Sequence, residues 1–145
     1  MKKFELTNEF ITNMFGTKLF RIRALVEFGD VEAGELGGYV EKESNLGHDD
    51  NAWVYGNAWV YGDAQVSGDA LVYGNAWVYG DAQVSGDARV CGDARVCGNG
   101  DYAYAHGFGS VNRTTTFFRL KDGGVGVRCG CFYGTLAQFR DKIRE

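Results

Sequence analysis

The chain has no proline, only two histidines and two methionines, and no Cys-x-x-Cys pair among its four cysteines. Each scarcity excludes something. Glycine-rich chains that stay unfolded usually carry proline or serine as well and few aromatic residues, whereas this one combines 22 glycines with 14% aromatic residues. A net charge of −4 argues against general nucleic-acid binding, which draws most of its affinity from a basic surface. No apolar run approaches the roughly 20 residues that span a bilayer. The N-terminal MKKFELTNEF lacks the long apolar stretch of a signal peptide. Cys129 and Cys131 are too close to bridge easily, and Cys91 and Cys97 lie one hexad apart. Four reduced thiols in a cytoplasmic protein are therefore expected.

What is abundant is periodic. Residues 56–73 read GNAWVYGDAQVSGDALVY and residues 74–91 read GNAWVYGDAQVSGDARVC; only Leu71/Arg89 and Tyr73/Cys91 differ. Within each block a six-residue unit recurs: Gly, Asn or Asp, Ala, any residue, Val, any residue. Such units run from Asp50 to Cys97. Ala and Val are two residues apart, so on a strand they share a face. That face is the interior, and Gly with Asn or Asp turns the corner, because these residues adopt positive φ most cheaply. Three hexads to a coil predict an all-β solenoid, a three-sided parallel β-helix whose Ala/Val core leaves no internal cavity.

These Ala-x-Val-x-Gly-Asp/Asn hexads resemble the hexapeptide repeats of bacterial acyltransferases. The resemblance, rather than chain physics, implies a left-handed helix, since parallel crossovers are ordinarily right-handed. The chain is also similar to a group of phage and prophage proteins. That likeness lies in LFRIRALVEFGDVEAGELGGYVEKESNL (19–46), the hexads, and the tail TTTFFRLKDGGVGVRCGCFYGTLAQF, and it implies a phage-encoded protein.

The period assigns outward side chains to faces. Trp59 and Tyr61 should stack under Trp77 and Tyr79, then Arg95 and Cys97. A second face carries Gln65, Ser67, Gln83 and Ser85. The third carries Trp53 and Tyr55, then Leu71 and Tyr73, then Arg89 and Cys91. Exposed rings of about 150–250 Å² each exceed what a monomer normally leaves bare. Trp53, Tyr55, Trp59, Tyr61, Tyr73, Trp77 and Tyr79 are therefore expected in a self-association interface, most simply of a homotrimer; cover by the flanking segments of the same chain is the alternative. The corner columns Asp63/Asp81 and Asp69/Asp87 read as ordinary turn residues, so no metal is expected.

Three regions are expected. Residues 1–37 form an N-terminal β segment and lead into the solenoid. Residues 38–113 form the hexad helix with its end cap, and residues 114–145 a β-hairpin followed by a short amphipathic helix. Thr135 and Gln138 have capping-box spacing, and Cys129 and Cys131 are placed on the buried face of the hairpin with Val125 and Val127. Residues 1–50 hold six Lys/Arg against ten Asp/Glu, and residues 101–145 seven against four. Arg119, Lys121 and Arg128 can share the outer hairpin face and, with Arg21 and Arg23, are the candidate anion-binding residues, guanidinium forks being suited to phosphate or carboxylate.

An acyltransferase needs a general base. Only His48 and His106 are available, neither in a recognisable motif, so His106 is a weak catalytic candidate and no cofactor is expected. The resulting expectation is a non-enzymatic, oligomeric binding protein of the host cytoplasm, with no membrane association. It would antagonise a host function by sequestering an anionic, nucleotide-like signalling ligand or by blocking a host protein. A hexapeptide-type acyltransferase and a structural scaffold are the alternatives.

Overall fold

The computed structural model describes residues 2–98, 102–108, 113–121, 123–129 and 132–138. An N-terminal hairpin, β1 (Phe4–Thr12) and β2 (Lys18–Ala24), pairs antiparallel onto β3 (Leu36–Val40). Eight two-residue rungs follow: β4 (Trp53–Val54), β5 (Trp59–Val60), β6 (Gln65–Val66), β7 (Leu71–Val72), β8 (Trp77–Val78), β9 (Gln83–Val84), β10 (Arg89–Val90) and β11 (Arg95–Val96). An antiparallel sheet of β12 (Tyr102–Phe108), β13 (Arg113–Arg119), β14 (Val125–Cys129) and β15 (Phe132–Thr135) follows.

The hexads wrap three to a coil. Parallel pairing joins Tyr39 to Trp59, Trp59 to Trp77 and Trp77 to Arg95 on one side. It joins Trp53 to Leu71 and Leu71 to Arg89 on a second, and Gln65 to Gln83 on the third. Every hexad alanine from Ala52 to Ala94 and every valine from Val54 to Val96 is buried, so the molecule is an all-β solenoid with an aliphatic axis. Trp59 and Trp77 stack at 4.5 Å with planes 4° apart, and Tyr61 and Tyr79 at 5.2 Å and 6°.

The corner glycines meet two demands. From Gly56 to Gly92 each has φ between 58° and 70°, the left-handed region where a Cβ is disfavoured. Consecutive coils also touch backbone to backbone there. A Cβ on Gly68 would lie 2.9 Å from the Gly86 nitrogen, whereas one on Gly56 would meet nothing within 4 Å.

Both open ends are closed by side chains that replace a missing coil. At the start, the buried Asn45 amide accepts from Glu41 and Lys42 N–H and donates to Gly62 and Ala64 carbonyls. The Glu41 and Asp50 carboxylates accept from Gly62 and Gly68 N–H at 2.8 Å. At the far end, Arg89 N–H, which in an earlier coil would reach the next alanine carbonyl, donates to Thr116 Oγ1 at 2.9 Å. The Tyr133 hydroxyl receives the Asp93 N–H and sits over Gly92. Leu120 bridges Ala94, Lys121 N–H donates to Asp93 O, and Phe118 joins the core.

The expected boundary between residues 37 and 38 lies on a strand shared by two regions. Position 37/38 falls inside β3, whose start pairs with the hairpin and whose end begins the solenoid. Residues 102–108, expected in an end cap of the prism, form β12 and pair with β13. Strict Tyr-Ala-Tyr-Ala alternation is an antiparallel-strand pattern, and here it outweighs proximity to the hexads. The expected capping box is present: Gln138 N–H donates to Thr135 Oγ1 at 3.2 Å and Thr135 N–H to Gln138 Oε1 at 2.9 Å. Residues 136–138 form the helical turn it caps.

Gly68→Ala should therefore destabilise the chain by about 3 kcal/mol, from the left-handed strain and the coil clash together, and Gly56→Ala by about 1 kcal/mol from strain alone. Urea unfolding of the two variants checks the order; equal losses would mean that coil-to-coil contact at the corner contributes nothing.

Candidate functional site

Two of the three outward columns begin with aromatic or aliphatic residues and end in arginine. Arg95 continues the Trp59–Trp77 stack, its guanidinium carbon 3.9 Å from the Trp77 ring centre. Arg89 ends the Trp53–Leu71 column. Each lays one guanidinium nitrogen, Nη1, back toward the previous coil. Arg95 Nη1 donates to the Asn75 and Ala94 carbonyls at 3.0 and 2.9 Å, and Arg89 Nη1 to the Asp69 and Asp87 carbonyls at 3.0 and 2.9 Å. Among the described residues the Nε–Nη2 edge of each makes no hydrogen bond, and that is the edge that forms paired bonds to carboxylate or phosphate.

The C-terminal sheet brings a second cation beside each arginine. Tyr55, Leu71, Tyr73, Arg89 and Arg128 line a cleft of about 440 Å³, with the Arg128 guanidinium 5.7 Å from the Tyr73 ring centre. On the neighbouring side, Asn57, Trp59, Asn75, Trp77, Arg95 and Lys121 line a cleft of about 480 Å³. Among the described residues no carboxylate lies within ion-pair distance of Arg89, Arg95, Arg128 or Lys121.

Burial governs the ionisation of Tyr73 and Tyr55 in the Arg89–Arg128 cleft and of Tyr61, which stands outside both clefts. It holds the Tyr73 phenol protonated to about 12, helped by the Cys91 sulfur that Tyr73 hydrogen-bonds and opposed by Arg128 and Arg89. It lifts Tyr61 to about 12 as well, with the stacked Tyr79 adding and Arg95 opposing. Tyr55 is raised by burial and then by Glu35 and Asp30. Burial also raises the Cys91 thiol. Cys91 is buried and Cys97 exposed.

The expected binding residues separate. Arg21 and Arg23 are committed to Glu9 and Glu5 of the same hairpin, and Arg21 also to Tyr39 and the Gly37 carbonyl. Arg23 is thus tied within the N-terminal hairpin, and Arg21 is held by Glu9 and by Tyr39, whose ring it covers at 4.5 Å and which borders the Trp59–Trp77 cleft. Arg119, Lys121 and Arg128 do not share one face. Residues 120–124 make an odd-length connection, so Arg119 pairs with Val125 and Arg128 with Thr116, on opposite sides of the sheet. The Cys129 side chain and Cys131 lie outside the described residues, as does the His106 side chain; its backbone is in β12. His48 is engaged structurally: Nδ1 accepts the Lys3 N–H at 3.1 Å and the ring stacks on Phe4 at 4.4 Å.

Trp53, expected in an intersubunit interface, is covered by its own chain. It is 0% exposed, with Phe4 and Phe28 packed edge-on at 6.3 and 5.2 Å. The same lid buries Lys3, whose ammonium donates to the Asp50 and Ala52 carbonyls and to Asp50 Oδ1. Tyr55, Trp59, Tyr61, Tyr73, Trp77 and Tyr79 are half-buried within the chain, and stacking hides ring faces in the Trp59/Trp77 and Tyr61/Tyr79 pairs. The most exposed large apolar side chains described are Met14 and Phe15, at 82% and 80%. They sit on a β1–β2 turn pinned by the Asn13 side chain, which accepts from Phe15 and Thr17 N–H.

Sequence reasoning placed Arg89 and Arg95 on their columns but did not single them out as binding residues. The available signal was the Leu71/Arg89 difference between near-identical blocks, since a departure from a structural repeat marks a position that the repeat does not require. The geometry and the repeat together define a β-solenoid repeat protein. A family model described as the YdcK beta solenoid repeat matches residues 64–80 and 82–98. No curated protein matches the chain. Among the described residues no helix is long and apolar enough to cross a membrane.

The tyrosines set an alkaline limit. An unfolded tyrosine ionises near pH 10, whereas folded Tyr61 and Tyr73 keep their protons to about 12. Above pH 10 the unfolded chain releases protons that the folded chain retains. Their stabilisation is thus full below pH 10 and is lost as the pH rises toward 12. Lys3, which burial lowers, works in the opposite direction. Melting temperature followed across this range should fall more steeply in the parent than in Tyr61→Phe/Tyr73→Phe; parallel curves would contradict the assignment.

Proposed function

We propose that the protein is a non-catalytic binding protein that captures an anionic, ring-bearing small molecule in the Arg89–Arg128 cleft. One observation carries this reading: two guanidiniums without carboxylate partners among the described residues converge on one cleft walled by Tyr55, Leu71 and Tyr73. Leu71 and the tyrosines offer an apolar wall to a flat ring. The two guanidiniums take the negative group, and the protonated Tyr73 phenol supplies a polar edge. A nucleotide-like signalling ligand combines these features. The likeness of residues 19–46 and of the tail to phage proteins supports a phage-encoded origin and, with it, a role in the host cytoplasm as a sink for such a ligand.

Self-association, expected as a trimer, is assigned in this reading to the β1–β2 tip rather than to the ring columns. Met14 and Phe15 are exposed on a turn already held in one conformation, which lowers the entropy lost on docking. Light scattering should give a multimer for the parent and a monomer for Met14→Ser/Phe15→Ser; a monomeric parent would end this assignment.

For the ligand, a thermal-shift panel of nucleoside mono-, di- and cyclic phosphates should contain at least one that raises the melting temperature saturably. Arg128→Gln and Arg89→Gln should each weaken that ligand about tenfold, the loss of one charge-assisted pair. No response to any phosphate, or a response unchanged in both variants, would defeat the proposal.

A further inference from the structure

The neighbouring cleft has the same arginine device but a different wall. Trp77 has one ring face against Trp59 at 4.5 Å and the other under the Arg95 guanidinium at 3.9 Å. With both faces taken, Trp77 cannot sandwich a nucleobase, and the Trp59–Trp77 column offers a ligand a flat strip of ring edges. Beside this strip run Asn57 and Asn75, one rung or about 4.8 Å apart, at exposed corner positions. Among the described residues neither side-chain amide has a hydrogen-bond partner. An amide presents a donor and an acceptor together, which suits a row of hydroxyl groups better than a charged group. At the far end stand the Nε–Nη2 edge of Arg95, unpaired among the described residues, and the ammonium of Lys121, whose backbone is anchored to Asp93 O at 3.0 Å. Asp93 continues the Asn57–Asn75 corner row and also borders this cleft, adding an acceptor for hydroxyl groups.

From this arrangement we infer that the Trp59–Trp77–Arg95 cleft is a second, independent binding site, for an acidic carbohydrate. Its carboxylate is held by Arg95 and Lys121, and its hydroxyls lie along Asn75 and Asn57 against the indole edges. From Arg95 back to Asn57 is two rungs, roughly 10 Å, the reach of a disaccharide rather than a single sugar. The volume of about 480 Å³ falls within the range of small-molecule pockets. The inference does not rest on the ligand assigned to the Arg89–Arg128 cleft, since the two sites share no residue.

The indoles report on the site directly. Titration of the full chain with a galacturonic acid disaccharide should change tryptophan emission saturably, and the fully methyl-esterified disaccharide should bind at least about tenfold more weakly. Arg95→Gln should lose about tenfold in affinity, and so should Lys121→Gln, an exposed position that leaves the Trp77 stack intact and so guards against misfolding of the first variant. Arg89→Gln should titrate like the parent, which separates failure here from failure of the neighbouring site. The inference is overturned by no saturable change, by equal binding of the ester, by a response unchanged in Arg95→Gln and Lys121→Gln, or by tighter binding of an acidic peptide or inorganic phosphate than of the disaccharide.

Discussion

Everything in this molecule depends on how closely one coil can sit on the next at its corners. At Gly68 a single added carbon would come within 2.9 Å of the coil above, so rung spacing is set by bare backbone meeting bare backbone. Close stacking lets Trp59 N–H reach Ala76 O and Tyr61 N–H reach Val78 O at 2.9 and 3.0 Å. It leaves room on the axis only for alanine and valine, and it holds outward rings at stacking distance. Larger corner residues would loosen the hydrogen-bond ladder, the core and the ring columns together.

A structure so uniform has little chemistry of its own, and what chemistry it carries appears where uniformity ends. The N-terminal lid covers Trp53 and brings Lys3 into a cage of carbonyls. The C-terminal sheet lends Thr116 and Tyr133 hydroxyls to backbone groups that would otherwise face a missing coil, and the same docking sets Arg128 beside Tyr73 and Lys121 near Arg95. Closing the solenoid and assembling two cation pairs are thus one structural event. The arginines are suited to this place, since their long stems lie along the previous rung and their outer edges remain open.

The hexads were legible because their rule is binary: Ala and Val inward, all else outward, Gly at φ > 0. Coil number, face map and ring stacking follow from that rule. The ends were less legible, for reasons that differ by residue. Trp53 obeys the same outward rule as Trp59, and only the folding-back of Phe4 and Phe28 distinguishes them. The separation of Arg119 from Arg128 turns on whether the connection between their strands has an odd or even number of residues, which charge pattern does not reveal. Strand β12 was announced by its Tyr-Ala alternation, a signal overshadowed by the neighbouring repeat. The open guanidinium edges of Arg89 and Arg95 exist only because Nη1 finds carbonyls one coil back, a contact that has no trace in the linear order of residues.

The near-identity of residues 56–73 and 74–91 has a consequence for the lineage of the chain. Because consecutive 18-residue units meet through the same parallel rungs, duplication of one unit would lengthen the molecule by a single step. Unequal recombination between such units is therefore a simple route to a longer molecule, whereas loss of residues 56–73 would take away Tyr73, which walls the Arg89–Arg128 cleft.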